Sequence, residues 1–420
     1  MKKTIRNCVM LFAVTLLAAM AWGTEQADAA SQVRIDARNF PDHTIRKIAR
    51  SYDKNKNGYL SPKEISKIKK VSLEDFHDTI TDYKGLERFT NLRVLRCGEG
   101  KVKSKKEITL DLSKNKKLEA LYLGEYNHTK SNVTKLKLTN CKKLKKLRIS
   151  EATRLKTLDV KGCVALKDLE WCYCGRLTAL DVSSCRALKR ICVSDSRKLS
   201  KLKLGTINKM EDLVIGDCPA LKTLDLRKQT KLKALHVSNA PIRKLNVSNN
   251  VRLENLCLSE TPMKELNLKK QTRLDYLLVS KMPLQKLDIR SNKQLKVLII
   301  SRMSLEKLLL RNNVKLEALY ITETPLQKLD ISDNARLEQI NLEKVPFTNL
   351  DLKNQRNLRE IEISGAKLKH LDLTGTKITK EKCMPVFNHE CRCRMDDKNV
   401  EIVFADGEKM ISPVDSFNWK

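Results

Sequence analysis

Seven leucines, Leu245, Leu266, Leu287, Leu308, Leu329, Leu350 and Leu371, recur at every twenty-first position. A second series, Leu235, Leu256, Leu277, Leu298, Leu319, Ile340 and Ile361, keeps the same step. A period this regular, sustained from Leu232 to Thr376, restricts the chain to a stack of like units. Each unit carries two copies of one short pattern, such as LENLCLSET from Leu253 and MKELNLKKQ from Met263, apolar at the first, fourth and sixth positions. At about 100° per residue a helix would scatter those positions around its axis, whereas a short strand followed by a turn points them all inward. The units are therefore flattened coils. None can bury its leucines alone, so they must stack into one continuous core.

The pattern reaches back in a longer form. Between Val133 and Ala240 the half-repeat is eleven positions long, marked by Leu136 and Leu138, Leu147 and Ile149, Leu158 and Val160, Leu169 and Trp171, Leu180 and Val182, and Ile191 and Val193. Earlier still, NLRVLRC at Asn91 and KLEALYL at Lys117 begin coils of twenty-six positions. Their extra length lies in the lysine-rich KVKSKK and the polar GEYNHTKSN. The count is thirteen coils, so a parallel sheet of stacked strands would be on the order of 60 Å long.

LxxLxL followed three positions on by Asn or Cys, in units of twenty-one or twenty-two positions, resembles the bacterial leucine-rich repeats of internalin type, in the subclass that places cysteine at the asparagine position. The resemblance implies an α/β solenoid: an arc with a parallel sheet on its concave side, the LDLSxN halves on its convex side, and a binding role with no catalytic residues. The sequence has no LPxTG-like anchor and no room for an immunoglobulin-like domain after the repeats, so covalent display on a wall is not expected.

Ahead of the coils stands DKNKNGYLSPKE, with Asp53, Asn55 and Asn57 at loop positions one, three and five, Gly58 at six and Glu64 at twelve. This fills every slot of a calcium-loop pattern, which resembles an EF-hand or dockerin-like loop. Alternating oxygens wrap a hard cation, Tyr59 would offer its carbonyl, Ser61 would act through water and Glu64 would close the shell with both oxygens. Ile45, Ile48 and Ala49 before the loop, and Ile65 and Ile68 after Ser61-Pro62, have helical spacing. With only Asp53 and Glu64 charged and no partner loop, affinity of roughly 0.1 to 1 mM is expected, suited to a site that is filled constitutively outside a cell. Such a Ca2+ site would brace a helical cap over the first coil.

Residues 1–29 read as a secretory signal peptide: Lys2, Lys3 and Arg6, an apolar run, then Ala27-Asp28-Ala29 as a small-residue cleavage site. No second apolar stretch is long enough to span a membrane. Formal net charge is +33, and removal of the signal peptide lowers it by only one. Exported proteins this basic meet anionic wall polymers, lipids and sulfated glycans, while 5% aromatics leaves too few stacking platforms for nucleic acid.

Twelve cysteines follow the signal peptide. Cys97, Cys141, Cys163, Cys174, Cys185 and Cys218 fall at inward or turn positions, where a thiol acts as a small apolar side chain. Cys141, Cys163 and Cys185 stack in successive coils, and a ladder of reduced thiols is expected there rather than a bridge. Cys383, His389, Cys391 and Cys393 form a separate group after the last coil, open to a disulfide, free thiols or a zinc ion. NVEIVFADGEKMI, turning at Asp406-Gly407, reads as a hairpin that closes the open end of the sheet. His236 and Cys257, at equivalent positions of neighbouring coils, are the best nucleophile-and-base pair available, and a flat sheet offers them no cleft.

Outward positions of the concave strands begin polar, with Arg148, Asp168, Glu170, Arg190 and Asp212, then turn apolar at Tyr276 and Leu278, Val297 and Ile299, and Ala318 and Tyr320. Gln339, Asn341, Glu360 and Glu362 return the face to polar. Tyr276, Leu278, Val297, Ile299 and Tyr320 are the expected centre of a partner-binding surface. The organisation expected is residues 1–29 as signal peptide, 30–71 as EF-hand-like cap, 72–376 as solenoid and 377–420 as C-terminal cap. The function expected is that of a secreted or surface-associated, non-enzymatic protein binding a protein or glycan ligand on its concave face. The alternative is an envelope component held by charge to anionic wall polymers, and a hydrolase acting through His236 and Cys257 is a weaker third.

Overall fold

A computed structural model describes residues 32–73, 80–98, 106–124, 131–380, 392–395, 397 and 399–412. The signal-peptide region, Lys101 to Lys105, Cys383, His389 and Cys391 lie outside these residues. The fold is an α/β leucine-rich-repeat solenoid of about thirteen turns, and it divides into two compact units, residues 1–166 and 167–420.

In the first unit a small cap precedes the coils. Helix α1 (His43–Tyr52) is capped by Asp42, whose Oδ1 accepts the amides of Thr44 and Ile45. The other oxygen of Asp42 accepts the amide and hydroxyl of Thr81, at 2.9 and 3.1 Å, which ties the helix to the first coil. Helix α2 (Pro62–Lys67) has Ser61 as its N-cap, with a reciprocal Ser61–Glu64 capping box and Pro62 in the first turn. Phe40, Ile45, Leu60 and Ile68 are fully buried, and Phe40 stacks on Phe89 of the coils with ring centroids 6.0 Å apart. Gly85 (φ +104) lies under that ring, where a Cβ would come within 2.3 Å of Phe40.

Four parallel strands follow in the main sheet: Lys70–Ser72, Val94–Cys97, Ala120–Leu123 and Lys146–Ser150. The sheet thus starts at Lys70, inside the segment expected to belong to the cap. Short strands Thr109–Asp111, Lys135–Lys137 and Thr157–Asp159 form a second parallel sheet from the LDL halves of the coils.

In the second unit the main sheet runs in parallel from Asp168–Cys172 through Arg190–Ser194, Asp212–Gly216, Ala234–Ser238, Asn255–Ser259, Tyr276–Ser280, Val297–Ser301, Ala318–Thr322, Gln339–Glu343 and Glu360–Ser364. Inward leucines and isoleucines at the second and fourth strand positions are buried throughout. The residue after each strand turns the chain left-handed although it is seldom glycine: Glu260, Lys281, Arg302 and Glu323 have φ near +50°. A left-handed residue with a Cβ costs roughly 1–2 kcal/mol, and an inter-coil bond from the same amide, such as Lys281 N–H to Ser301 O at 2.9 Å, offsets part of it.

The C-terminal hairpin forms, Glu401–Val403 against Lys409–Ile411. Its first strand pairs in parallel with His370–Asp372, so it closes the sheet of LDL halves. The main sheet is instead extended by Arg392–Met395 beside Glu360–Ser364. The expectation that the hairpin ends the main sheet is therefore corrected: its LDL-like pattern, EIV, aligns with HLD and continues that row.

A polar ladder runs inside the second unit. Asn292 Nδ2 donates to Leu268 O and Gln271 O, Asn313 Nδ2 to Ile289 O and Asn292 O, and Asn334 Nδ2 to Leu310 O and Asn313 O, at 2.8–3.3 Å. Each side chain thereby satisfies carbonyls that the coil turn leaves buried. In the first unit Asn115 does the same for Leu86 O and Phe89 O. There the next two rungs are cysteines, with Cys141 Sγ on Leu112 O at 3.3 Å and Cys163 Sγ on Leu138 O at 3.2 Å. The nine cysteines from Cys97 to Cys257 are unbridged. Burial pushes the Cys141, Cys185 and Cys218 thiols up to about 11, so they remain protonated at neutral pH.

Candidate functional site

Register places the expected surface residues together. In the second unit Tyr276 stands opposite Val297, Leu278 opposite Ile299, and Ile299 opposite Tyr320, on three adjacent strands with side chains on the outward side. All five are half-buried, because strands about 4.8 Å apart let each side chain cover its neighbour. Ala318, between Val297 and Gln339, is 8% exposed and contributes little surface. The Tyr320 hydroxyl donates to Gln339 Oε1 at 2.6 Å, which fixes its ring at the patch edge. Cys257 and Asn255 border the patch on one side, Asn341 and Gln339 on the other.

Charge isolates this region further. The chain has 83 lysines and arginines, yet the outward positions of the described main-sheet strands in this unit include no lysine. Arginines occur only near the ends: Arg190, 2.6 Å from Asp168, and Arg392 and Arg394, in register with Glu360 and Glu362. Burial pushes Glu170 up, and Asp212 likewise despite Arg190 and His236 nearby. A third outward row carries hydroxyls, Ser238, Ser259, Ser280, Ser301 and Thr322, with Thr322 Oγ1 donating to Ser301 Oγ at 2.7 Å.

Two neighbours on this face escaped the sequence reading. The Cys172 thiol is hydrogen-bonded to Cys192, which draws it down to about 7 against the opposing effect of burial, while Cys192 is pushed up. Their spacing was the available signal: it falls two positions short of the coil period and so sets them two positions apart on adjacent strands. His236 and Cys257 are in register, but burial pushes the Cys257 thiol up, opposite to what an activated nucleophile needs.

The loop from Asp53 to Glu64 lies in the first unit. Asp53 accepts the amides of Asn57 at 3.2 Å and Gly58 at 2.9 Å, Asn55 Oδ1 that of Asn57, and Asn57 Oδ1 that of Tyr59. Tyr59–Leu60 pairs with Val33–Arg34, a two-residue strand that serves where a paired hand would have its second loop. Glu64 is 6% exposed; its Oε1 accepts the Lys54 amide and its Oε2 the amide and hydroxyl of Ser61. Burial works to raise its pKa, and these hydrogen bonds, with one from the Asn55 amide, prevail and lower it. The donor set fits a hard cation: an ionised, nearly buried carboxylate, a second carboxylate and two amide oxygens share one loop, and carboxylate oxygens retain further lone pairs. Ser61 is committed to the helix cap, which leaves it only a role through water.

No protein-family model matches the sequence, and no curated protein matches it. Among solved structures, the functional domain of InlJ from Listeria monocytogenes, which includes a cysteine ladder, superposes with a TM-score of 0.56 at 21% identity, over 84% of this chain and 78% of that one. An internalin of the same organism, InlF, gives 0.55 at 16% identity, over 81% of this chain and 94% of that one. At these identities the likeness is one of fold: the chain shares the leucine-rich-repeat solenoid of the internalins.

Proposed function

We propose that the protein is an exported, non-enzymatic binding scaffold whose second unit presents Tyr276, Leu278, Val297, Ile299 and Tyr320 to a protein ligand. The observation that carries this reading is the clearing of lysine from one face of a chain with formal charge +33, with apolar side chains at its centre. A charged surface keeps proteins apart through repulsion and hydration, and an apolar centre ringed by polar groups is the arrangement of an interaction hot spot. The internalin-like fold supports an adhesion or protein-interaction role. Among the described residues no helix is long and apolar enough to cross a membrane, and export rests on the signal-like residues 1–29.

One structural calcium ion held by Asp53, Asn55, Asn57 and Glu64, with the Tyr59 carbonyl, is part of the same reading. It would lock the loop between α1 and α2 and so hold the cap on the first coil. Binding of the full chain to a solubilised cell-surface protein fraction, compared with Leu278→Asp/Ile299→Asp, tests the functional reading. Loss of captured protein by a variant with an unshifted melt is expected, and undiminished capture rejects the patch.

A further inference from the structure

Two cysteines of the second unit stand apart from the buried thiols inside the coils. Strand Asp168–Cys172 lies beside Arg190–Ser194 with Glu170 opposite Cys192 and Cys172 opposite Ser194, so the two thiols are diagonal neighbours on the outward side. Cys172 is 7% exposed and Cys192 is half-buried. Their sulfurs are hydrogen-bonded to one another, and the Ser194 hydroxyl is hydrogen-bonded to Cys172. Inside the coils, by contrast, Cys163 Sγ and Cys218 Sγ are committed to main-chain oxygens, Leu138 O and Gly216 O. Register decides what can bridge the outward pair. Strands about 4.8 Å apart and an offset of two positions, about 6.6 Å, separate the two Cα atoms by about 8 Å. A disulfide holds Cα atoms roughly 5.5–6 Å apart and needs backbone movement beyond about 7 Å. One ion between the sulfurs replaces an S–S bond of about 2 Å by two metal–sulfur bonds of roughly 2.3 Å each, which lengthens the bridge by about 2.5 Å. That lengthening matches the spacing of the two strands.

We propose that Cys172 and Cys192 form a two-coordinate site for a soft monovalent cation of the copper(I) class. Thiolates select soft ions, which leaves copper(I) and zinc as the occupants to weigh. Zinc takes four ligands in a closed site, and among the described residues no third histidine, cysteine or carboxylate joins the pair in a metal-holding group. Copper(I) is satisfied by two thiolates in a line. On binding, each thiol releases its proton to solvent and two sulfur–copper bonds form. The ion stays copper(I), so no oxidant or reductant is consumed. Once bound, it would tie the two strands together across the outward face. Three strands separate this pair from Tyr276–Ser280, so the inference does not rest on the protein ligand of the apolar patch.

The test is protection of Cys172 in the reduced full chain, without oxygen, by copper(I) held at a fixed free concentration with a chelator. A small uncharged alkylating reagent labels the thiols, and peptide mass mapping reads each position separately, so ions taken up by Cys383, Cys391 or Cys393 do not enter the readout. Copper(I) is expected to slow labelling of Cys172 and Cys192 about tenfold or more at saturation. Cys192→Ser should lose the protection at Cys172, and Cys172→Ser should lose it at Cys192, because one thiol does not hold the ion alone. Each variant is compared with itself in chelator alone, so changes in its intrinsic reactivity cancel. Cys257→Ser, which removes another half-buried thiol of the same face, should keep the protection, and zinc at the same free concentration should not supply it. Labelling of Cys172 unchanged by copper(I), protection that survives Cys192→Ser, or equal protection by zinc would overturn the proposal. So would a Cys172–Cys192 disulfide formed in air by the folded chain, since the Cα spacing excludes it. Leu278→Asp/Ile299→Asp should leave the protection intact, so the two sites can fail separately.

Discussion

The carboxamide of Asn313 donates to the main-chain oxygen of Asn292, one coil away, at 2.9 Å, and Asn292 repeats the contact with Gln271 at 2.8 Å. The ladder is what lets so short a coil turn inside a dry core. Asn313→Ala removes two bonds and leaves the carbonyls of Ile289 and Asn292 without them. Each carbonyl keeps a backbone donor, Asn292 N–H for Ile289 O and Leu295 N–H for Asn292 O, so the loss is that of two hydrogen bonds at about 0.5–1.5 kcal/mol each, and urea unfolding should show it. Cys141→Ala removes a single weak thiol bond and should cost less, so an equal loss would contradict the difference drawn between the two kinds of rung.

Thiol chemistry provides a second check. Cys97, Cys141, Cys163, Cys174, Cys185 and Cys218 are buried, and they should resist a charged alkylating reagent until the chain is unfolded. Raising the pH to 9 should not expose Cys141, Cys185 or Cys218, whose thiols titrate at about 11. Cys172, drawn down to about 7 by Cys192, should supply the reaction seen near neutrality with a small uncharged reagent. Cys172→Ser should abolish that phase and Cys192→Ser should slow it. Rapid neutral labelling of the ladder cysteines would contradict the packing described.

Calcium should raise the melting temperature if the loop from Asp53 to Glu64 binds it, because a ligand of the native state stabilises by mass action. Glu64→Gln is the informative variant, since Glu64 also closes the capping box with Ser61 and Glu64→Ala would lose roughly 0.3–1.5 kcal/mol from the helix start even without metal. The calcium increment should vanish in Glu64→Gln. An equal melt in millimolar calcium and in chelator would make the loop a turn alone. The lowered pKa of Glu64 also has a sign. Its stabilising contribution is present above the ordinary carboxylate value of about 4.3 and lost as pH falls through the lower folded value. Parent and Glu64→Gln melts should therefore converge on acidification in chelator.

Features set by period were legible in the sequence. Leu256, Leu277 and Leu298 fix inward positions, and because a strand alternates sides the same register fixes Tyr276, Leu278 and Ile299 as outward. Features made by one-off contacts were not legible. Val33–Arg34 has no repeat behind it, yet it pairs with Tyr59–Leu60. Lys70–Ser72 and Arg392–Met395 extend the main sheet from segments without the leucine pattern. Arg96 and Tyr122 are in register, but the stacking of one on the other depends on rotamers that a pattern does not encode. Nor does a pattern give exposure: the patch positions face outward and are half-buried all the same, since neighbouring strands crowd them.

Binding of a protein by the lysine-free face of the second unit, through its apolar centre, is decided by capture from a cell-surface protein fraction. The chains compared are the parent, Leu278→Asp/Ile299→Asp and the control Lys286→Gln/Lys307→Gln, each checked for an unshifted melt and for its sedimentation coefficient. The aspartate pair is expected to lose at least tenfold in binding, a change of about 1.4 kcal/mol, while the control binds like the parent. An aspartate pair that sediments as the parent does and captures the same protein with the same affinity would contradict a binding role for this face.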